Sequence, residues 1–230
     1  MPSNDLRRLT GNSGSTWLAR IRRLPVIWHL MLIRHGCRPK SYLADTGWLR
    51  SFRTRTSVDA FGKPVPWITY PALHFLSARN TDQLRVLEFG SGYSTLWWSH
   101  RCQQITSLES DANWFRSLTT LVSTTTDYQL VDTQDAVAGY PQACRSLSGP
   151  FDIVVIDALG RSQCVRNAFS HLAEAGVVIW DNSDREEDAD GYQFLVRHGY
   201  KRLDFHGLGP INAYPWTTSL FYRSDNCLGI

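Results

Sequence analysis

From Arg85 onward the chain alternates short apolar runs with amphipathic stretches. Such runs, bounded by turn-forming residues, suit strands buried on both faces of a parallel sheet, and the amphipathic stretches suit helices that cover it. The pattern predicts strands over 85–89 (RVLEF), 104–109 (QITSLE), 128–131, 151–156 (FDIVVI), 176–180 (GVVIW), 200–206 (YKRLDFH) and 217–222 (TTSLFY). It predicts helices over 94–101, 111–122, 161–175 and 189–198, with Asp111 as an N-cap and with Gly176 and Gly199 as stops. Between the last two strands lies only the Gly/Pro-rich stretch 207–216, so these two pair antiparallel and close the sheet.

Ahead of Arg85 the pattern differs. Residues 1–15 are polar and rich in Gly and Ser, the composition of a disordered segment. Residues 16–80 are rich in Arg, Trp and Pro and read as helical or irregular. The division drawn from this is an N-terminal extension over 1–60 and a main α/β domain over 61–230.

Composition narrows the class. A net charge of +3 over 230 residues is too small an excess to mark a nucleic-acid surface. Five cysteines, an odd number without a CxxC pair, argue against a disulfide framework or a zinc knuckle and fit reduced thiols in the cytoplasm. No stretch reaches the ~20 apolar residues needed to span a bilayer. The nearest, 24–33 (LPVIWHLMLI), contains Pro25 and His29 and is followed by RHGCRPK rather than a small-residue cleavage site. Two readings of this stretch stand. It is a helix packed on the main domain, or residues 16–36, with Arg20, Arg22 and Arg23, form a basic amphipathic helix that makes a peripheral contact with the inner face of a membrane.

The chemistry concentrates after the first strand, in Val86-Leu-Glu-Phe-Gly-Ser-Gly-Tyr-Ser-Thr95. A strand ends, Gly90 and Gly92 flank Ser91 and let the backbone approach a ligand, and a helix opens at Ser94 or Thr95. A dinucleotide fingerprint would need glycine where Thr95 stands. Glu88 would also repel a pyrophosphate, whereas a carboxylate there suits S-adenosylmethionine, which carries an ammonium and a sulfonium and no phosphate. Glu109 closes the second strand, about 20 residues after Glu88, where a carboxylate accepts both hydroxyls of a ribose diol. The segment resembles the first motif of the class I S-adenosylmethionine-dependent methyltransferases. The element order, seven strands ending in an antiparallel pair, resembles their Rossmann-like α/β fold.

The resemblance covers about residues 45–230 and extends to a group of bacterial class I proteins whose substrates are mostly unassigned. It implies that Glu88, Gly90, Ser91, Gly92 and Glu109 bind the cofactor and that Asp132, or its neighbour Asp135, contacts the adenine amino group. Trp114 is either an adenine platform or a core residue. Asp157 follows the fourth strand directly, and Asp181 and Asn182 follow the fifth. This arrangement resembles the magnesium site of the cation-dependent O-methyltransferases, where three oxygen ligands orient and acidify a substrate hydroxyl. It departs from that group in a shorter glycine loop and in Arg161, which stands near the place of the family's lysine. An arginine is a poor general base, unlike a lysine. Asp157, Asp181 and His206 are thus the catalytic candidates, and Asp157, Asp181 and Asn182 the metal candidates. Segment 59–72, with Pro64, Pro66 and Pro71 beside Trp67 and Tyr70, is a candidate lid.

By resemblance the acceptor is a small molecule, a sugar or a lipid-linked compound methylated on oxygen in preference to nitrogen. The Asn/Asp-Pro-Pro-Tyr motif of base-amino methyltransferases does not follow strand four, which lowers the nucleic-acid option. Two alternatives stay open. One is an aminopropyl transferase on the same fold, the other a non-catalytic scaffold or membrane-associated binding module.

Overall fold

The computed structural model describes residues 25–131 and 136–230. The disorder expected over 1–15, residues 16–24 of the membrane-contact segment, and Asp132 and Asp135 lie outside the described residues. The chain forms two compact units, residues 1–45 and 46–230.

In the first unit, helix α1 (Pro25–Gly36) is followed by a short helix α2 (Tyr42–Asp45). Ser41 sets the turn between them: its hydroxyl donates to the Gly36 carbonyl at 2.7 Å and accepts from the Ala44 N–H at 3.2 Å. Arg34 and His35 lie in the last turn of α1, where they face its negative dipole end. Val26, Trp28, Leu30, Leu32 and Ile33 are exposed. Among the described residues no helix is long and apolar enough to cross a membrane.

The second unit takes in residues 46–60, which the sequence pattern assigns to the extension. Helix α3 (Trp48–Thr54) belongs here because Ser51, fully buried, donates to the Val58 carbonyl and accepts from the Val58 N–H, and because the Trp48 indole donates to the Asn212 carbonyl at 2.7 Å. Then come α4 (Tyr70–Ser77), β1 (Arg85–Phe89), α5 (Tyr93–Ser99), β2 (Gln104–Glu109), α6 (Ala112–Thr119) and β3 (Thr126–Leu130). The second half runs α7 (Ala136–Cys144), β4 (Phe151–Ile156), α8 (Arg161–Ala168), β5 (Leu172–Trp180), α9 (Ala189–Arg197), β6 (Lys201–Gly207) and β7 (Trp216–Tyr222).

The sheet order is β3-β2-β1-β4-β5-β7-β6. Strands β1 to β5 are parallel, and β7 runs antiparallel to both β5 and β6, as the helix-free connection requires. The strand period of two divides the apolar side chains between two cores. Leu87, Phe89, Val154, Ile156 and Trp180 face one side, under α7, α8 and α9. Val86, Ile153, Val155, Ile179 and Leu220 face the other, under α4 and α5. The register of β4 on β5 shifts between Phe151 and Ile153, which puts Phe151 on the first side although it stands two residues before Ile153 on the second.

Two elements differ from expectation. The helix expected over 161–175 ends at Ala168, and β5 begins at Leu172 after a 3₁₀ turn over Phe169–His171. Ala173, Glu174 and Ala175 favour a helix locally, but parallel pairing of Leu172 with Phe151 overrides that propensity. Helix α7 escapes the pattern because Gly139 and Pro141 interrupt it. Its Tyr140 nevertheless packs edge-on to Phe89 in the core, with ring centroids 5.8 Å apart.

Candidate active site

The carboxyl ends of β1, β2, β4 and β5 converge on one edge of the sheet, where adjacent parallel strands leave a crevice for ligands. Gly90 ends β1 with φ +85°. A Cβ there would lie 2.9 Å from the Asp157 carbonyl carbon and closer still to its oxygen, so the chain itself demands glycine. Gly92 is different. It is extended, and an added Cβ would meet only the Ser94 hydroxyl, at 3.8 Å. Nothing in the protein requires glycine at 92, whereas a ligand lying against the loop would.

Glu88 lies beneath this loop, with no exposed surface. Its Oε2 accepts from the Thr95 hydroxyl at 2.5 Å and the Ser107 hydroxyl at 2.7 Å. The Thr95 oxygen in turn accepts from the Gly92 N–H at 3.0 Å, so a two-bond chain ties the loop to the acid. Oε1 is buried and has no hydrogen-bond partner. Burial pushes the carboxyl up to about 7, against the lowering effect of the serine and threonine hydroxyls.

Glu109 is also buried, and its carboxylate is saturated. Oε2 accepts from the Ser91 N–H (3.0 Å) and hydroxyl (2.6 Å), and Oε1 from the N–H groups of Ser110 and Asp111 (both 2.7 Å). The Ser91 hydroxyl further bonds to Tyr128 at 2.8 Å, and Trp114, partly exposed, donates its indole N–H to the Ser91 carbonyl at 2.9 Å. A diol binding Glu109 would take the place of the Ser91 hydroxyl, a rotation about one bond.

Beside this loop opens a cleft of about 310 Å³, with Asp157, Arg161, Asp181 and Asn182 at its base and Trp67 and Tyr214 on its walls. Asp157 joins the two regions, because its carbonyl abuts Gly90 and its side chain lines the cleft. Asp181 is buried. Its Oδ1 accepts from the Trp216 indole at 2.9 Å and the Thr218 hydroxyl at 2.6 Å, which leaves Oδ2 for a ligand. Burial, reinforced by the charge of Asp157, pushes the Asp181 carboxyl up to about 7. Burial raises Asp157 as well, opposed by the guanidinium of Arg161.

The structure therefore brings Asp157, Asp181 and Asn182 together, but not as metal ligands. Arg161 Nη2 lies 2.8 Å from Asp157 Oδ1 and 3.0 Å from Asn182 Oδ1, and Arg185 donates to the same Asn182 oxygen at 3.2 Å. A buried positive charge already stands among the oxygens that a divalent cation would need. With the guanidinium in place the site does not fit Mg²⁺, and the expectation of a metal gives way on that ground. Among the described residues, no group of three or more His, Cys, Asp and Glu side chains could hold a metal ion.

His206 is not part of the site either. On the edge strand β6 it is exposed, pairs with Thr217 of β7 and bonds to the Thr217 hydroxyl at 3.1 Å. The neighbours of Thr217 on β7, Trp216 and Thr218, point to the other face, and it is these that hold Asp181. Segment 59–72 is pinned to the last strands rather than free: the Thr69 N–H donates to Thr218 Oγ1 at 3.0 Å and the Tyr70 N–H to the Leu208 carbonyl at 2.7 Å. Sequence reasoning missed Thr95, Ser107, Trp216 and Thr218. It met Arg161 only as a departure from a pattern, although its spacing four residues after Asp157 is that of an ion pair.

No family model matches the chain, and no curated protein matches it. Solved structures do. A precorrin-6y C5,15-methyltransferase from Geobacter metallireducens superimposes with a TM-score of 0.52 at 18% identity, over 67% of this chain and 87% of that one. The fold is that of the class I methyltransferases. A provisional O-methyltransferase from Klebsiella pneumoniae gives 0.51 at 20% identity, over 84% of this chain and 94% of that one. An rRNA methylase from Streptococcus thermophilus gives 0.50 at 15% identity, over 69% of this chain and 99% of that one. At these identities the likeness concerns the fold, and the chemistry rests on the site.

Proposed function

We propose that this chain is an enzyme that transfers a methyl group from S-adenosylmethionine to an oxygen of a small-molecule, sugar or lipid-linked acceptor, without a metal. The observation that carries this reading is the junction at Asp157. It presses a glycine loop suited to the methyl donor against a cleft whose floor holds a buried carboxyl poised near neutrality.

The residues fit the cofactor. Gly92 leaves room for a close approach, Glu88 supplies a carboxyl beneath the loop that is tied to it through Thr95, and Glu109 offers a carboxylate one of whose four partners is a hydroxyl that can rotate away. When bound, the sulfonium supplies an electrophilic methyl group whose C–S bonding pair returns to sulfur as the new bond forms. Asp181 Oδ2 takes the acceptor's hydroxyl proton, and a carboxyl near 7 is matched to that task at neutral pH. Trp216 and Thr218 fix the orientation of Asp181. Trp67 and Tyr214 give the acceptor two aromatic walls to pack against.

Two arginines at the cleft, Arg161 and Arg185, disfavour the cationic polyamine that an aminopropyl transferase would bind. The exposed apolar side chains of α1, with Arg34, Arg38 and Lys40 after them, support a peripheral contact with an anionic membrane through residues 16–36. Sedimentation with anionic vesicles tests that contact: the full chain co-sediments and a chain lacking residues 1–40 stays in solution, while equal sedimentation of both rules it out.

The test of function uses S-adenosylmethionine labelled in its methyl group together with a small-molecule extract. Label should pass to the small-molecule fraction with wild type and not with Asp181→Asn. Equal transfer by the variant would remove Asp181 from the mechanism, and label appearing in protein or RNA would refute the acceptor class.

A further inference from the structure

The cleft has an occupant of its own chain. Gly160, with φ +66°, turns the backbone so that Arg161 opens α8 immediately beyond β4. The Arg161 side chain then runs back into the cleft, where it is buried to 7% exposure. One nitrogen, Nη2, bridges Asp157 Oδ1 at the end of β4 and Asn182 Oδ1 after the end of β5. Asn182 is held in the left-handed region, φ +51°, a conformation that its side chain tolerates better than most. A guanidinium here brings positive charge and a planar set of donors without a metal-binding equilibrium. Asp157, Asp181 and Asn182 are hard oxygen donors gathered from two adjacent strand ends, the donor type that divalent cations prefer.

We propose that the Arg161 guanidinium is a built-in substitute for a divalent cation: it closes the cleft to metals, and its removal uncovers a cation site formed by Asp157, Asp181 and Asn182. The same group is a positioning residue, since it fixes the carboxylate of Asp157 and the amide of Asn182 in one geometry. The proposal concerns what the cleft binds, and its test stands apart from methyl transfer.

The experiment is a titration with Mn²⁺, followed by its electron paramagnetic resonance signal and by thermal shift, on wild type, Arg161→Ala and Arg161→Ala/Asp181→Asn. Wild type should leave the Mn²⁺ signal free. Arg161→Ala should bind one ion at least about tenfold more tightly than wild type, and the double variant should lose that gain. A near-isosteric Arg161→Met serves if the alanine variant is poorly folded, with Mn²⁺ then raising its melting temperature. Stoichiometric Mn²⁺ binding by wild type that Asp181→Asn abolishes would overturn the proposal, because the guanidinium would not be excluding metal. Folded Arg161 variants that bind Mn²⁺ no better than wild type would overturn it as well, because no cation site would lie beneath the arginine.

Discussion

Asp181 carries the sharpest residue-level expectation. A base with its carboxyl near 7 is inactive when protonated, so kcat/KM should rise with pH through about 7 and then level. In Thr218→Val, which loses a bond that favours the ionised form, the rise should move to higher pH. A profile that falls across that range would exclude Asp181 as the base. Glu88 makes a different prediction, about stability. Its folded-state carboxyl sits near 7 against an ordinary 4.5, so the folded chain holds a proton that the unfolded chain releases. That contribution is complete below about 4.5 and is lost as pH rises through about 7. Glu88→Gln should therefore flatten the fall of the melting temperature over this window, and an unchanged slope would show that Glu88 is not its source. The identities of Glu88 and Glu109 were legible in the sequence because each ends an apolar strand beside a turn. Their hydrogen-bond partners were not, because these are ordinary hydroxyls and backbone amides brought close only by the fold.

At the level of elements, the loop between β1 and α5 separates two roles of glycine. Gly90→Ala places a Cβ against the Asp157 carbonyl at a backbone angle alanine avoids, and it should cost about 2 kcal/mol or more of folding stability. Gly92→Ala makes only an ordinary contact with the Ser94 hydroxyl, so its melting temperature should match wild type while affinity for S-adenosylmethionine falls. Equal melting losses in the two variants would contradict this division. The seven strands and their antiparallel end were readable because apolar runs bounded by turns carry a strong signal. The start of β5 was not, since Ala173, Glu174 and Ala175 prefer a helix locally and are drawn into the strand by the pairing of Leu172 and Val177 with β4 on either side of them. His206 failed for a related reason. One position along a strand reverses the face, and the register of β6 on β7 turns His206 away from Asp181.

For the whole molecule, the compact unit begins at Thr46, and Trp48 and Ser51 anchor its first helix. A chain of residues 46–230 should fold on its own and melt cooperatively, whereas one of residues 61–230, stripped of α3, should melt several degrees lower. Equal melting temperatures would place α3 outside the folding unit. Sequence pattern alone identified the α/β class and the edge of the sheet where chemistry gathers. The guanidinium of Arg161, lodged between Asp157 and Asn182, became visible only when β4, α8 and β5 stood side by side. The most direct test of the account is calorimetric titration of S-adenosylmethionine into the full chain, with excess chelator present, beside Glu109→Ala. Saturable one-site binding by wild type, unaffected by chelator and weakened at least about tenfold in the variant, is the predicted result; a well-folded wild type that releases no heat and shows no thermal shift with the cofactor would contradict it.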